Sequence, residues 1–144
     1  GNLVRDIAIG IGVAGIFAAV TPLLVRRSKA AGELDKEFGW ILGEQRGYEI
    51  IYLALLSGIA EEAIFRGAMV QAMGPVLSTI VFAAVHWPVN WTFRLWPFLA
   101  LAAGAVLAAE RNYTGNLVAP MVTHALINAI NLFRITAKYR VWKV

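Results

Sequence analysis

Gly58-Ile59-Ala60-Glu61-Glu62-Ala63-Ile64-Phe65-Arg66-Gly67 is the stretch on which the reading of this chain turns. It lies inside an apolar run from Ile50 to Met73, so two adjacent carboxylates and a guanidinium there need a reason. An ionisable group at membrane depth costs about 2.5–3.5 kcal/mol on insertion scales. On a helix, Glu62 and Arg66 are i,i+4 neighbours on one face and can pair. Glu61 is rotated by about 100° from Glu62 and cannot share that partner equally well. The pattern predicts one neutralised carboxylate, Glu62, and one left free for chemistry, Glu61.

The surrounding composition supports membrane depth. Of 144 residues, 59% are hydrophobic and 15% are charged, and the mean hydropathy is +0.65. Soluble domains run nearer to about 45–50% apolar and about 25% charged. The chain reads as a membrane protein with the lipid bilayer as its environment, and its length allows one domain, residues 1–144. Its formal charge is +4. The basic residues flank apolar spans and form no stripe, which excludes nucleic acid as a partner and makes them topology determinants and headgroup contacts. Without cysteine there is no disulfide or thiolate chemistry, and zinc could be held only by His and carboxylate.

Ile7 to Val25 is long enough to cross a bilayer core. It is too long for a signal-peptide core and runs into Arg26-Arg27-Ser28-Lys29, so it reads as a retained span. The chain starts at Gly1, which leaves its natural beginning open. Gly10, Gly12 and Gly15 suit close helix contact, and Pro22 suits a kink. Arg26 to Arg46 is a mixed-charge connection whose Phe38-Gly39-Trp40-Ile41-Leu42 patch suits the interface. Tyr48 to Met73 is the second span, and Gly74-Pro75 breaks it. Val76 to Val85 is short and ends in His86-Trp87-Pro88. Trp87, Trp91 and Trp96 suggest an aromatic belt. Leu95 to Ala109 is the fourth span and Leu117 to Ile135 the fifth, with Tyr113-Thr114-Gly115-Asn116 as the turn between them.

The basic residues set an orientation. Arg26, Arg27, Lys29, Lys36, Arg46, Arg94, Arg134, Lys138, Arg140 and Lys143 fall on one side of a five-span arrangement, and Arg5 and Arg111 on the other. The richer side is expected in the cytoplasm. His86 then lies near the cytoplasmic end of its span, and Glu61 and Asn128 near mid-membrane.

Glu61, Glu62, His86, His124 and Asn128 come from three spans. A lone intramembrane histidine is commonly a packing hydrogen-bonder. That reading weakens when acid, base and amide share a depth. His124 and Asn128 are i,i+4 and point into one cavity; Phe82 is i,i+4 from His86 and either walls the site or is ordinary core. Two chemistries suit the set. In one, Glu61 and His86 activate a water while His124 and Asn128 donate to an oxyanion. In the other, Glu61, His86 and His124 hold a divalent metal whose water attacks. No His-Glu-x-x-His run is present. Ser57 and Ser78 read as packing residues, not nucleophiles.

Glu-Glu-x-x-x-Arg at 61–66, Phe-x-x-x-His at 82–86 and His-x-x-x-Asn at 124–128, in this order on apolar helices, resemble the CPBP family. This is the CAAX-protease and bacteriocin-processing family, also called Abi, whose best understood branch is the type II CAAX prenyl endopeptidase. The motifs cover about residues 48–135. The resemblance implies an all-α fold: a polytopic transmembrane helical bundle of about five spans with a cytoplasm-facing intramembrane cavity. It implies an intramembrane protease in which Glu61 and His86 activate water, His124 and Asn128 stabilise the oxyanion, and Glu62 and Arg66 support them. It favours a metal-free reaction, with zinc on Glu61, His86 and His124 as the alternative. Prenyl proteases usually have more spans than five, so the likeness carries the site further than it carries a prenylated substrate.

The expectation is an endopeptidase of a bacterial or archaeal cell membrane, cutting a membrane-associated protein or peptide near an embedded or lipid-anchored segment. The rival readings are a non-catalytic scaffold or bacteriocin-immunity-type protein that keeps the motif residues as polar glue, and a small cation or proton conduit.

Overall fold

A computed structural model describes residues 2–88 and 90–139, and Arg140 and Lys143 of the orientation count lie outside them. The described residues are helical with no strand. The order is α1 (Leu3–Arg27), α2 (Lys29–Leu42), α3 (Gly47–Glu62), a π turn (Ala63–Met69), α4 (Val70–Val85), a 3₁₀ turn (Trp91–Phe93), α5 (Trp96–Thr114) and α6 (Val118–Tyr139).

Local chemistry sets the ends. The Asn2 side chain accepts from the Arg5 backbone N–H to open α1, and the Ser28 hydroxyl does the same for Ala31 in α2. Asp6 sits in the first turn of α1 and Arg26 and Arg27 in its last, matching the helix dipole. α1 runs on through Pro22 without ending there. α5 stops at Gly115, which takes a left-handed conformation (φ 71°) that side-chain-bearing residues resist. The Asn116 side chain then accepts from the Val118 N–H to start α6.

Four helical stretches are long and apolar enough to cross a membrane: Leu3–Arg27, Gly47–Val85, Trp91–Thr114 and Val118–Tyr139. The longest, 39 residues, is interrupted at Gly74 (φ 80°, ψ 166°), with Pro75 opening the second arm. Its two arms are the second and third spans expected from the sequence. The chain is an all-α, polytopic integral membrane protein. Large apolar side chains such as Ile11, Leu23, Tyr52, Leu56, Ile59, Val76 and Phe98 face outward, while Asp6, Glu62, Arg66, Glu110, Thr123 and His124 are buried. Lipid favours this arrangement, because polar groups must then be satisfied inside the bundle.

α6 packs against α1, α2, α3 and α5. At the α1 crossing only Gly10 of the three early glycines is needed: a Cβ there would lie 2.8 Å from the Ala119 carbonyl, whereas Gly12 and Gly15 face open space. Behind this crossing, the Thr123 hydroxyl lies 2.7 Å from Glu110 Oε1 and 3.2 Å from the Gly10 carbonyl. At one end of the bundle, Asp6 bonds the Asn116 amide at 2.6 Å and pairs with Arg5. At the other, buried Asp35 of α2 accepts from Arg134, from Lys138 at 2.9 Å and from Tyr139 at 3.0 Å. Burial opposes ionisation of Asp35, but those donors outweigh it and hold the carboxyl below its ordinary range. Of the patch read as interfacial, Trp40 and Ile41 are exposed, but Phe38 turns inward onto the rings of Phe93 and Trp96.

Candidate active site

The site is built where α3 meets α6. Gly58 removes the side chain that would hold the two apart, since a Cβ there would lie 2.7 Å from the Ala125 backbone nitrogen. One turn further along, α3 delivers Glu61 and Glu62, and α6 delivers His124 and Asn128 on either side of Ala125.

Glu62 is wholly buried, and Arg66 nearly so. Arg66 Nη1 donates to Glu62 Oε1 at 3.0 Å. Its Nη2 donates to the Gly104 carbonyl of α5 at 2.9 Å, and the guanidinium lies 4.3 Å from the centre of the Phe82 ring. Gly104 leaves the space: a Cβ there would lie 2.9 Å from Arg66 Nη2. The pairing expected from the i,i+4 spacing is present, although the helix widens into a π turn here, a local geometry that the sequence did not reveal. The turn is braced from α4, whose Ser78 hydroxyl donates to the Phe65 carbonyl at 2.5 Å. Ser78 is therefore a specific hydrogen-bonder as well as a packing residue.

Glu62 Oε1 has a second donor, His124 Nδ1 at 2.8 Å. His86, the residue that caps α4, is anchored similarly: its Nδ1 lies 2.6 Å from the Phe82 carbonyl. A carbonyl oxygen only accepts, so Nδ1 carries the hydrogen and Nε2 of neutral His86 presents a lone pair. The His86 ring rests on Phe82 and on Trp96, with centroids 4.7 and 5.5 Å away. Phe82 is 3% exposed and packs edge-on against Phe65, so it is both core and wall of the site.

With both Nδ1 atoms engaged, both Nε2 atoms face Glu61. Glu61 Oε2 lies 3.9 Å from His86 Nε2 and 3.9 Å from His124 Nε2, and is itself buried without a hydrogen-bond partner. The Glu61 side chain is 30% exposed, against 0% for Glu62, so the neighbouring carboxylates occupy different environments. Among the described residues, no three His, Asp or Glu side chains are gathered closely enough to hold a metal ion.

Asn128 is half-buried and its Nδ2 donates to Ser57 Oγ at 2.9 Å. The sequence reading gave Ser57 only a packing role. Its spacing, four residues before Glu61 on the same helix face, is the signal that could have placed it here. Trp96 and Gly104 carried no comparable signal, because their roles depend on how α5 docks.

Residues 45–130, more than half of the chain, match the family described as type II CAAX prenyl endopeptidase Rce1-like. The chain is also 35% identical over 81 residues to the uncharacterized protein YpbD of Bacillus subtilis (strain 168), a match covering 56% of this chain and 42% of YpbD. It thus spans less than half the length of that curated relative. No solved structure matches. The family match takes in Glu61, Glu62, Arg66, His86, His124 and Asn128 together, and the chain belongs to the Rce1-like family of type II CAAX prenyl endopeptidases.

Proposed function

We propose that this chain carries the catalytic core of an intramembrane endopeptidase that hydrolyses a peptide bond close to a membrane-embedded or lipid-anchored segment of its substrate. The observation that carries the reading is the meeting of Glu61 Oε2 with His86 Nε2 and His124 Nε2, at 3.9 Å each. A water about 2.8 Å from both Glu61 Oε2 and His86 Nε2 would subtend them at about 90°, within its bonding range.

The reaction is general-base hydrolysis. The water oxygen attacks the peptide carbonyl carbon as one of its protons passes to Glu61 and the other is held by His86 Nε2. The carbonyl electrons move onto oxygen. That oxyanion takes hydrogen bonds from Asn128 Nδ2 and from Nε2–H of His124 in its imidazolium form, whose Nδ1–H rests on Glu62. Collapse breaks the C–N bond, and the proton on Glu61 goes to the departing amine. Arg66 fixes Glu62, and Glu62 fixes His124.

Glu61, His86 and His124 are also the donors that a zinc ion would use, as a Lewis acid that lowers the pKa of its water. Tetrahedral zinc draws such donors to about 3.4 Å from one another. The observed 3.9 Å separations are wider and suit a bridging water better, so no step is routed through a metal.

The basic residues gather at the bundle end where α2 lies: Arg94 pairs with Glu33, and Arg134 and Lys138 hold Asp35. The positive-inside rule puts that end in the cytoplasm of a bacterial or archaeal cell, with His86 and the site opening toward it.

The test is cleavage by purified protein in liposomes. Two quenched reporters are used, one a peptide with a farnesylated cysteine, the other a peptide with an unmodified apolar membrane segment. Wild type should cut at least one, and Glu61→Gln neither. A Glu61→Gln protein that cuts at the wild-type rate would remove the base assignment. Activity lost on chelation and restored by zinc would overturn the metal-free reading.

A further inference from the structure

The catalytic reading leaves one question of geometry: what fixes the plane of the Asn128 amide. The torsion that swings an asparagine amide is broad and roughly two-fold. An unrestrained amide would present nitrogen, oxygen or edge to a passing carbonyl. Ser57 sits on α3 one turn before Glu61, half-buried, with its hydroxyl oxygen 2.9 Å from Asn128 Nδ2. The Ser57 hydroxyl itself is tethered to its own helix through the Ala54 carbonyl at 3.4 Å.

We propose that Ser57 is a positioning residue for the hydrolysis: by accepting one N–H of Asn128 it locks the amide plane and leaves the second N–H aimed at the substrate oxyanion. The two hydrogens of an amide nitrogen lie in one plane at a fixed angle, so fixing one fixes the other. α3 then supplies both the base, Glu61, and the orienter of the oxyanion donor. The close α3–α6 approach at Gly58 and Ala125 holds the Ser57–Asn128 pair at bonding distance. This inference rests on the oxyanion role proposed for Asn128.

The experiment pairs kinetics with a substrate-independent readout. Turnover of whichever reporter wild type cleaves is measured per folded protein for Ser57→Ala, Ser57→Thr, Ser57→Cys, Asn128→Ala and the Ser57→Ala/Asn128→Ala double variant. Ser57→Ala should lower kcat about tenfold with KM within about twofold, a part of the 10²–10³ lost when an oriented donor is removed altogether. Ser57→Thr, which keeps the hydroxyl, should restore most of kcat. Ser57→Cys, close in size but a weak acceptor, should behave like Ser57→Ala and keeps the test open if alanine harms folding. In the Asn128→Ala background Ser57→Ala should cost nothing further. In parallel, ¹⁵N relaxation of the Asn128 side-chain amide, identified by its loss in Asn128→Ala, should report a rigid group in wild type and a mobile one in Ser57→Ala.

Wild-type kcat in Ser57→Ala alongside a slow Asn128→Ala overturns the role of Ser57 and leaves the oxyanion reading standing. Wild-type kcat in both overturns the oxyanion reading itself. An equal loss from Ser57→Ala in both backgrounds assigns Ser57 to packing. Should neither reporter be cleaved, the proposed activity fails, and an amide equally rigid with and without the Ser57 hydroxyl overturns the positioning role.

Discussion

Gly58 of α3 lies against Ala125 of α6 so closely that a Cβ on Gly58 would come within 2.7 Å of the Ala125 backbone nitrogen. The neighbour in the way is main chain, so the helices must part to admit it. Gly58→Ala gains up to about 1 kcal/mol of helix propensity but is expected to lower the thermal midpoint and to reduce turnover further than stability explains. Gly12→Ala is the control: nothing lies within 4 Å of the added carbon, and it should hold or raise the midpoint. Equal behaviour of the two variants in thermal melts and reporter cleavage would remove the close-approach argument.

Arg66 separates the roles of the two carboxylates. Arg66→Ala leaves wholly buried Glu62 without its guanidinium, and breaking such a pair costs roughly 3–5 kcal/mol. Glu61→Gln removes a carboxylate that is 30% exposed and whose buried Oε2 has no hydrogen-bond partner, and it should leave the denaturation midpoint almost unchanged while abolishing cleavage. Denaturant titration of both variants checks this; an Arg66→Ala protein as stable as wild type would show that the pair does not hold Glu62.

Asp35 predicts a pH dependence. Its folded-state pKa lies below the unfolded value of about 4, so its contribution is complete above that value and fades as pH falls through the depressed folded pKa. Asp35→Asn should therefore cost about 2 kcal/mol at neutral pH, given that charge-assisted hydrogen bonds are worth about 1.5–3 kcal/mol. The gap between wild type and variant should close in acid. A gap that is constant from pH 7 down to pH 3 would mean that the α2–α6 tie does not depend on the Asp35 charge.

The Thr123 hydroxyl is the hydrogen-bond partner of buried Glu110, whose other oxygen has none. Thr123→Val keeps the shape and removes that partner, an expected loss of about 1–3 kcal/mol. Thr123→Ser should lose much less, and Thr123→Val combined with Glu110→Leu should recover part of the deficit. Additive losses in the double variant, measured by thermal melts, would mean that the two side chains are not coupled.

The legible part of this chain was the part set by spacing along one helix. Glu62–Arg66 and Phe82–His86 are both i,i+4 relations, and both hydrogen-bonded contacts follow from them, as does the break at Gly74-Pro75 from the turn chemistry of that dipeptide. Contacts between helices were not legible. Glu62 could be paired with Arg66 on paper, but that it also receives His124 Nδ1 depends on where α6 docks. Gly12 and Gly15 looked as suited to close packing as Gly10, since nothing in composition tells which face of α1 meets α6. Phe38 looked interfacial and turns inward because α2 lies over Phe93 and Trp96.

The interruption at Gly74 gives the long helix the mechanics of a jointed lever. Glu61 rides on the arm before the joint, and His86 ends the arm after it. Twelve residues at about 1.5 Å each put His86 about 18 Å from the pivot, so opening the joint by about 5° would carry it about 1.5 Å from Glu61. Displacements of that order cost catalysis steeply. The Ser78 hydroxyl on the Phe65 carbonyl and the Phe65–Phe82 edge contact tie the two arms together between the pivot and His86 and act as a strut. These two contacts thereby set the spacing of Glu61 and His86, and a membrane whose thickness or lateral pressure strained that strut would detune the proposed reaction without altering either residue.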